Sequence, residues 1–70
     1  MARKMTISVN GQAMEVPVEI TVAALLKMLH VEPSNVAVEL DGSVERQEQW
    51  GETSISPGAT LEIVRFVGGG

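Results

Sequence analysis

MTISVNGQAMEV, residues 5–16, joins two segments of alternating apolar and polar residues through Asn10-Gly11. That dipeptide readily takes the positive φ values of a two-residue type I′ turn between antiparallel strands. With this turn, the register pairs side chains of like character: Ile7 with Met14, Met5 with Val16, and Thr6 with Glu15. The stretch therefore predicts a hairpin with one buried face, and Pro17 ends its second strand because proline cannot donate to a ladder.

A helix is predicted directly after the hairpin. Thr21 can serve as its N-cap, and Pro33 prevents its continuation. One helical face is apolar with the spacing i, i+3, i+4, i+7: Val22, Leu25, Leu26 and Leu29. His30 follows near the end of the helix, with no nucleophile or ligand cluster beside it in the sequence. We interpret it as a structural or solvated residue rather than a catalytic one.

A third strand is predicted where apolar residues alternate with Ala37 and Glu39: Val36, Val38 and Leu40. Asp41-Gly42 is a turn signal. The polar stretch that follows predicts a short extended piece near Val44 and a helical turn around residues 47–50. Trp50 is expected to cover one end of a small core, because its large apolar area is costly to leave in water.

The last strand is predicted from about Thr60 to Val67, after a turn at residues 56–58. Leu61 and Ile63 share one face of this strand, and the other face carries Glu62, Val64 and Phe66. Apolar residues on both faces indicate a central strand. One helix must then cover one face of a small mixed sheet. With the first and last strands side by side and parallel, the fold class is α+β with the β-grasp (ubiquitin-like) arrangement.

Composition limits the possible functions of this 70-residue chain, which is long enough for one domain over residues 1–70. A net charge of −4, with five scattered basic residues, argues against nucleic acid as a partner. The absence of cysteine and the single histidine exclude disulfides, thiolate metal sites and a zinc cluster. No apolar run is long enough for a membrane span. We expect a cytoplasmic protein that is monomeric when free.

Three glycines close the sequence: Gly68, Gly69 and Gly70. Ordering them would cost about 1–2 kcal/mol per residue in backbone entropy, so we expect a flexible tail. Its reactive group would be the α-carboxylate of Gly70, which is ionised at neutral pH. A tail without side chains can enter an enzyme channel that any side chain would block. The alternative interpretation is a frayed terminus with no function.

The chain resembles the ThiS-type sulfur carrier proteins of thiamine (thiazole) biosynthesis over about residues 6–70. The matching segments are Val9-Asn10-Gly11, Thr21-Val22, Leu25-Leu26, residues 36–42, Arg46, Trp50, Thr53, Pro57-Gly58 and residues 61–70. The most specific of them is the ending EIVRFVGGG, residues 62–70, on so short a chain. Ala59, after the turn at Pro57-Gly58, departs from the aspartate that is common in the family.

The resemblance implies a carrier rather than an enzyme. A ThiF-type adenylating enzyme would use ATP and Mg²⁺, which this chain is not expected to bind, to convert the Gly70 carboxylate to an acyl-adenylate. A persulfide-bearing sulfur donor would then produce a thiocarboxylate, and thiazole synthase would receive the sulfur. None of this chemistry needs a side chain of the carrier, so the lack of cysteine is no contradiction.

A docking patch is expected beside the tail, because glycines offer a partner only backbone contacts. Its predicted residues are Val64, Arg65, Phe66 and Val67. The sequence is equally compatible with a Phe66 that packs inward and closes the core. Truncation of Phe66 distinguishes the two, since loss of docking and loss of folding are separate results.

Three other functions are compatible with the same fold. A MoaD-like carrier would deliver sulfur to molybdopterin, and a protein modifier would be conjugated to lysines through Gly70. A β-grasp interaction module would have an inert tail. A small enzyme is the least supported. Carboxylates are available at Glu15, Glu39, Asp41 and Glu62, but nothing in the sequence shows that any pair of them converges on a pocket.

Overall fold

The computed structural model describes residues 3–66, which form five β-strands, one α-helix and two short 3-10 helices. The strands are β1 (Lys4–Val9), β2 (Gln12–Pro17), β3 (Val36–Leu40), β4 (Ser43–Glu45) and β5 (Thr60–Arg65); the α-helix is α1 (Val22–Met28), and the 3-10 helices are Pro33–Asn35 and Gln47–Gln49. The strand order is β2-β1-β5-β3-β4, with β5 parallel to β1 and antiparallel to β3. The predicted α+β β-grasp fold, with a central last strand, is confirmed.

The hairpin of β1 and β2 has the predicted register. Ile7 lies opposite Met14, Met5 opposite Val16, and Thr6 opposite Glu15. At the turn Asn10 has a φ of 51° and Gly11 a φ of 84°. Positive φ at both central residues is what a type I′ turn requires, and asparagine tolerates this conformation better than most residues.

The core lies between α1 and one face of the sheet. Its most deeply buried side chains come from four strands, from α1 and from the loop before β5: Ile7, Val16, Val22, Leu25, Leu26, Val38, Ile55 and Leu61. Trp50 is also buried, and its Nε1–H donates to the carbonyl of Glu45 at 3.0 Å. Because the indole is buried and its polar atom has a partner, the prediction that Trp50 packs against the core is confirmed.

Both ends of α1 use local hydrogen bonds. At the start, the Thr21 hydroxyl accepts from the N–H of Ala24 at 3.1 Å, as predicted for an N-cap. At the end, the N–H of His30 donates to Lys27 and the N–H of Val31 donates to Leu26. This pair of bonds is the Schellman motif. It places His30 in the left-handed conformation, with a φ of 58°, where glycine is usual.

Replacing His30 with glycine should stabilise the protein. The left-handed conformation costs an L-residue about 1–2 kcal/mol, and the greater freedom of glycine in the unfolded chain offsets part of the gain. We expect His30→Gly to raise the free energy of unfolding by about 0.5–1 kcal/mol in denaturant titrations. His30→Ala removes the same imidazole but keeps a Cβ. Equal stabilities of the two variants would contradict this explanation.

The end of β5 differs slightly from the prediction. The strand ends at Arg65 rather than at Val67. Phe66 follows it, and its N–H donates to the carbonyl of Asn35 at 2.8 Å. The 3-10 helix Pro33–Asn35, which was not predicted, supplies this acceptor. Val67 and the glycines Gly68, Gly69 and Gly70 lie outside the described residues. Among residues 3–66, no helix is long and apolar enough to cross a membrane.

Candidate functional site

The tail segment begins where β5 extends beyond β1. Strand β5 pairs with β1 at Thr60 and Leu61. Its pairing with β3 continues to Arg65, which lies opposite Val36. Within residues 3–66, the last part of β5 therefore has a neighbouring strand on the β3 side and none on the β1 side. This part of β5 carries Val64 and Arg65, two of the predicted docking residues, and precedes the glycines in the sequence.

The side chain of Asn10 takes the place of the missing strand. Its Oδ1 accepts from the N–H of Ile63 at 2.7 Å, and its Nδ2 donates to the carbonyl of Ile63 at 3.2 Å. The backbone N–H of Asn10 also donates to Leu61 at 2.9 Å. A side-chain amide carries one acceptor and one donor group, so it can pair both backbone groups of one residue. Asn10 thus pairs with the backbone of β5 beyond the end of β1.

The turn at Asp41-Gly42, between the antiparallel strands β3 and β4, holds the beginning of β5 in a similar way. Asp41 is also left-handed, with a φ of 51°, and its Oδ1 accepts from the N–H of Thr60 at 2.8 Å. The backbone N–H of Asp41 donates to the carbonyl of Thr60 at 2.7 Å. The residues Asn10 and Asp41 were predicted only as turn formers. Each of them also fixes the backbone of the central strand, a role that the local pattern does not reveal.

Removing the Asn10 side chain should loosen β5 near the tail. Asn10→Gly keeps the left-handed turn but loses both bonds to Ile63, so we expect a loss of about 1–3 kcal/mol in unfolding free energy. Hydrogen exchange gives a local measurement. The Ile63 amide should lose protection beyond the global change, while amides of the β3–β5 ladder follow global stability. An Ile63 amide that stays as protected as its neighbours would contradict this role for Asn10.

The predicted docking residues are exposed at the end of β5. The side chains of Val64 and Phe66 are 51% and 61% exposed, and Arg65 is exposed as well. The alternative in which Phe66 closes the core is therefore wrong. Val64 lies opposite Ala37 on the sheet face away from α1. Docking through these residues remains a prediction, and Val67 lies outside the described residues.

The same sheet face carries acidic and apolar residues side by side. Glu62 of β5 lies directly opposite Glu39 of β3. Glu39 in turn lies opposite Val44 of β4, whose side chain is 69% exposed. We call this surface the outer face and define it by five residues: Ala37, Glu39, Val44, Glu62 and Val64. It is the part of the uncovered sheet surface, on the side away from α1, that β3, β4 and β5 form.

On the helix side, an open hollow lies beside the base of the tail. Its lining includes His30, Glu32, Asn35, Arg65 and Phe66. His30 is exposed at its rim, which agrees with its interpretation as a solvated residue. Within residues 3–66, no three histidine, cysteine or acidic side chains come together in a group that could hold a metal ion.

A β-grasp sheet whose central strand leads into a glycine segment defines the class: small ubiquitin-like β-grasp proteins. The sequence model of the ThiS family matches residues 7–70. The chain belongs to the ThiS family. The match covers the hairpin turn, α1, β5 and the three glycines, which agrees with the resemblance seen in the sequence.

Solved structures give the same assignment. The chain is similar to the thiamine biosynthesis protein (ThiS) from Geobacter metallireducens. Against its crystal structure the TM-score is 0.83 at 35% identity, covering 94% of this chain and 100% of the other. Against a solution NMR structure of a thiamine biosynthesis protein from the same organism, the TM-score is 0.78 at 35% identity, with 94% and 88% coverage.

A curated relative is much longer than this chain. It is a protein of Paramagnetospirillum magneticum named thiazole synthase, 35% identical over 66 residues. The match covers 94% of this chain and 20% of that protein. The chain thus spans about a fifth of the length of this relative. Most of the thiazole synthase has no counterpart in the present sequence.

Proposed function

We propose that this protein is a sulfur carrier of thiamine biosynthesis, with the sulfur bound at the carboxyl group of Gly70. The observation that carries the proposal is the ThiS family match over residues 7–70, which includes the glycines. The exposed end of β5 supports it, because a carrier must present its tail to other proteins. The chain would act as a protein co-substrate, and ATP and Mg²⁺ would be bound by the adenylating enzyme.

The proposed chemistry takes place on the backbone. The Gly70 carboxylate attacks the α-phosphorus of ATP, which forms an acyl-adenylate and releases pyrophosphate. AMP is a far better leaving group than an oxide, so the terminal sulfur of a persulfide displaces it at the carbonyl carbon. A thiol then cleaves the resulting S–S bond by reduction and leaves a thiocarboxylate. Every step uses groups of the partners and the terminal carboxyl, which suits a carrier without cysteine.

Three partners follow from this chemistry. A ThiF-type enzyme would adenylate Gly70, and thiazole synthase would accept the sulfur for the thiazole ring. The Paramagnetospirillum magneticum relative supports the second partner, because a region similar to this chain forms part of a protein named thiazole synthase. Two proteins that are joined in one polypeptide in one organism commonly interact as separate chains in another organism. The persulfide-bearing donor is the third expected partner.

Alkylation of the mature protein tests the proposal. The protein is coexpressed with the ThiF-type enzyme and a persulfide donor, purified and treated with iodoacetamide. Because the chain has no cysteine, a thiocarboxylate is the group expected to react as a thiol does. Intact mass and fragmentation should then show one carbamidomethyl group at Gly70. The same intact mass measures whether Gly70 is the last residue of the mature protein, which the proposal requires.

The alkylation step is needed because mass alone is ambiguous. Oxidation of any of the four methionines adds one oxygen, with nearly the same mass change as the replacement of oxygen by sulfur. Methionine sulfoxide does not gain the carbamidomethyl group, and protein expressed without the adenylating enzyme is the matched control. Failure to label Gly70 would overturn the proposal. Transfer of the sulfur to a molybdopterin precursor, instead of to the substrate of thiazole synthase, would support the MoaD-like function.

A further inference from the structure

We propose that the outer face recognises an arginine of the adenylating enzyme, whose guanidinium bridges Glu39 and Glu62. This inference rests on the proposed function and specifies the chemistry of the partner surface.

The two carboxylates share one row of the sheet. Glu62 and Glu39 are direct cross-strand partners, and Val44 is the next residue of that row. The adjacent row pairs Val64 with Ala37. The acidic pair is therefore bordered by exposed valines at 69% and 51% exposure on its two sides. Among residues 3–66, one ion pair joins a basic and an acidic side chain, that of Arg46 and Glu48. Neither Glu39 nor Glu62 takes part in it.

Like charges directly opposite on a sheet destabilise the free protein. The arrangement is therefore not explained by the stability of the sheet. A neutral residue at position 39 or 62 would serve the fold at least as well. A pair of this kind becomes favourable when a positive group lies between the two carboxylates, which happens when a basic partner is bound.

Docking of a partner at the end of β5 also removes water from Glu62. Val64 lies two residues from Glu62 on the same face, so a protein surface that covers Val64 and Phe66 also takes water from Glu62. A carboxylate that loses water without a compensating charge strongly opposes association. A positive group of the partner at this position would remove that penalty while the partner covers the apolar residues.

Arginine fits this position better than lysine. Its planar guanidinium presents five N–H donors in a rigid fork that can contact two carboxylates at once. It also loses hydration more readily than an ammonium group, which suits a position bordered by valines. The net charge of −4 on the carrier adds a long-range attraction to a basic surface. The inferred partner surface is apolar, with an arginine projecting from it.

Steady-state adenylation measures the proposed recognition. ATP–pyrophosphate exchange is followed with the ThiF-type enzyme of the source organism while the carrier concentration is varied. Glu62→Gln and Glu39→Gln should each raise KM for the carrier at least about tenfold, with most of the loss in KM rather than kcat. The melting temperature of both variants should equal or exceed that of the native protein. Added salt should raise KM of the native carrier more than KM of either variant.

Glu52→Gln is the matched control, because it makes the same change of charge at an exposed residue away from the outer face. It should alter KM less than twofold. Equal KM values for the Glu62, Glu39 and Glu52 variants, with the native protein adenylated, would overturn the arginine contact alone. A lower melting temperature in the Glu62 and Glu39 variants would assign the effect to folding and also overturn it. A native protein that is not adenylated would overturn the proposed function and this inference together.

Discussion

Removal of Gly70 should abolish adenylation and leave the fold unchanged. One residue spans about 3.3–3.6 Å of extended chain, so the carboxylate of the shortened tail would stop short of the reacting phosphate. A misplacement of about 1 Å can already cost roughly 100-fold in rate. We therefore expect ATP–pyrophosphate exchange to fall at least about 100-fold. The melting temperature should not change, because the core of residues 3–66, whose last member is Leu61, forms without the glycines.

An added glycine after Gly70 provides the opposite displacement. The extended tail keeps the same chemical group, yet its carboxylate lies one residue too far along, so exchange should also fall. If both variants kept the native rate of ATP–pyrophosphate exchange, the reaction would not depend on the position of the terminal carboxylate. An interaction module with an inert tail would show no exchange either as the native protein or as these variants, and its binding to a partner would survive both changes.

Truncation of Phe66 should weaken recognition by the adenylating enzyme without unfolding the protein. The ring is 61% exposed, so its loss from the free protein should change unfolding free energy by less than about 0.5 kcal/mol. An aromatic residue buried at a partner interface commonly contributes about 2 kcal/mol or more. Phe66→Ala should then raise KM for the carrier roughly 30-fold, as measured by ATP–pyrophosphate exchange.

Met28→Ala is the matched control for the Phe66 variant. Met28 is another large exposed apolar side chain, 44% exposed, but it lies on α1 and outside the predicted docking residues. It should leave KM within about twofold of the native value, as expected for a residue outside a docking patch. A Phe66 variant that behaves like the Met28 variant would remove Phe66 from the docking surface. A large loss of stability would show instead that the ring supports the fold.

The features that could be predicted from the sequence depend on neighbouring residues. The register of the hairpin follows from Asn10-Gly11 and from strict alternation on both sides, so it was correct residue by residue. The N-cap at Thr21 is equally local, because its hydrogen bond spans three residues. The family ending, residues 62–70, identified the functional class for the same reason: its residues are contiguous.

The features that were missed depend on residues far apart or on conformations without a sequence signal. Asn10 and Ile63 are separated by 53 positions, so no local pattern links the turn to the last strand. His30 occupies a left-handed position that glycine usually marks. Alternation placed Val64 and Phe66 on one face of β5, but it cannot tell whether that face is covered. The exposure of Phe66 therefore had to come from the three-dimensional arrangement.

The hydrogen bonds between Asn10 and Ile63 also have a consequence for the maturation of the protein. Contacts between residues so distant in sequence require closure of a long loop, so they depend on the intervening chain being brought together. Newly made chains would therefore have the native hydrogen bonds at the end of β5 only when the chain between Asn10 and Ile63 has folded. An activating enzyme that binds this end would discriminate against immature chains without any separate checkpoint, and ATP would be spent only on carriers that are ready to deliver their cargo.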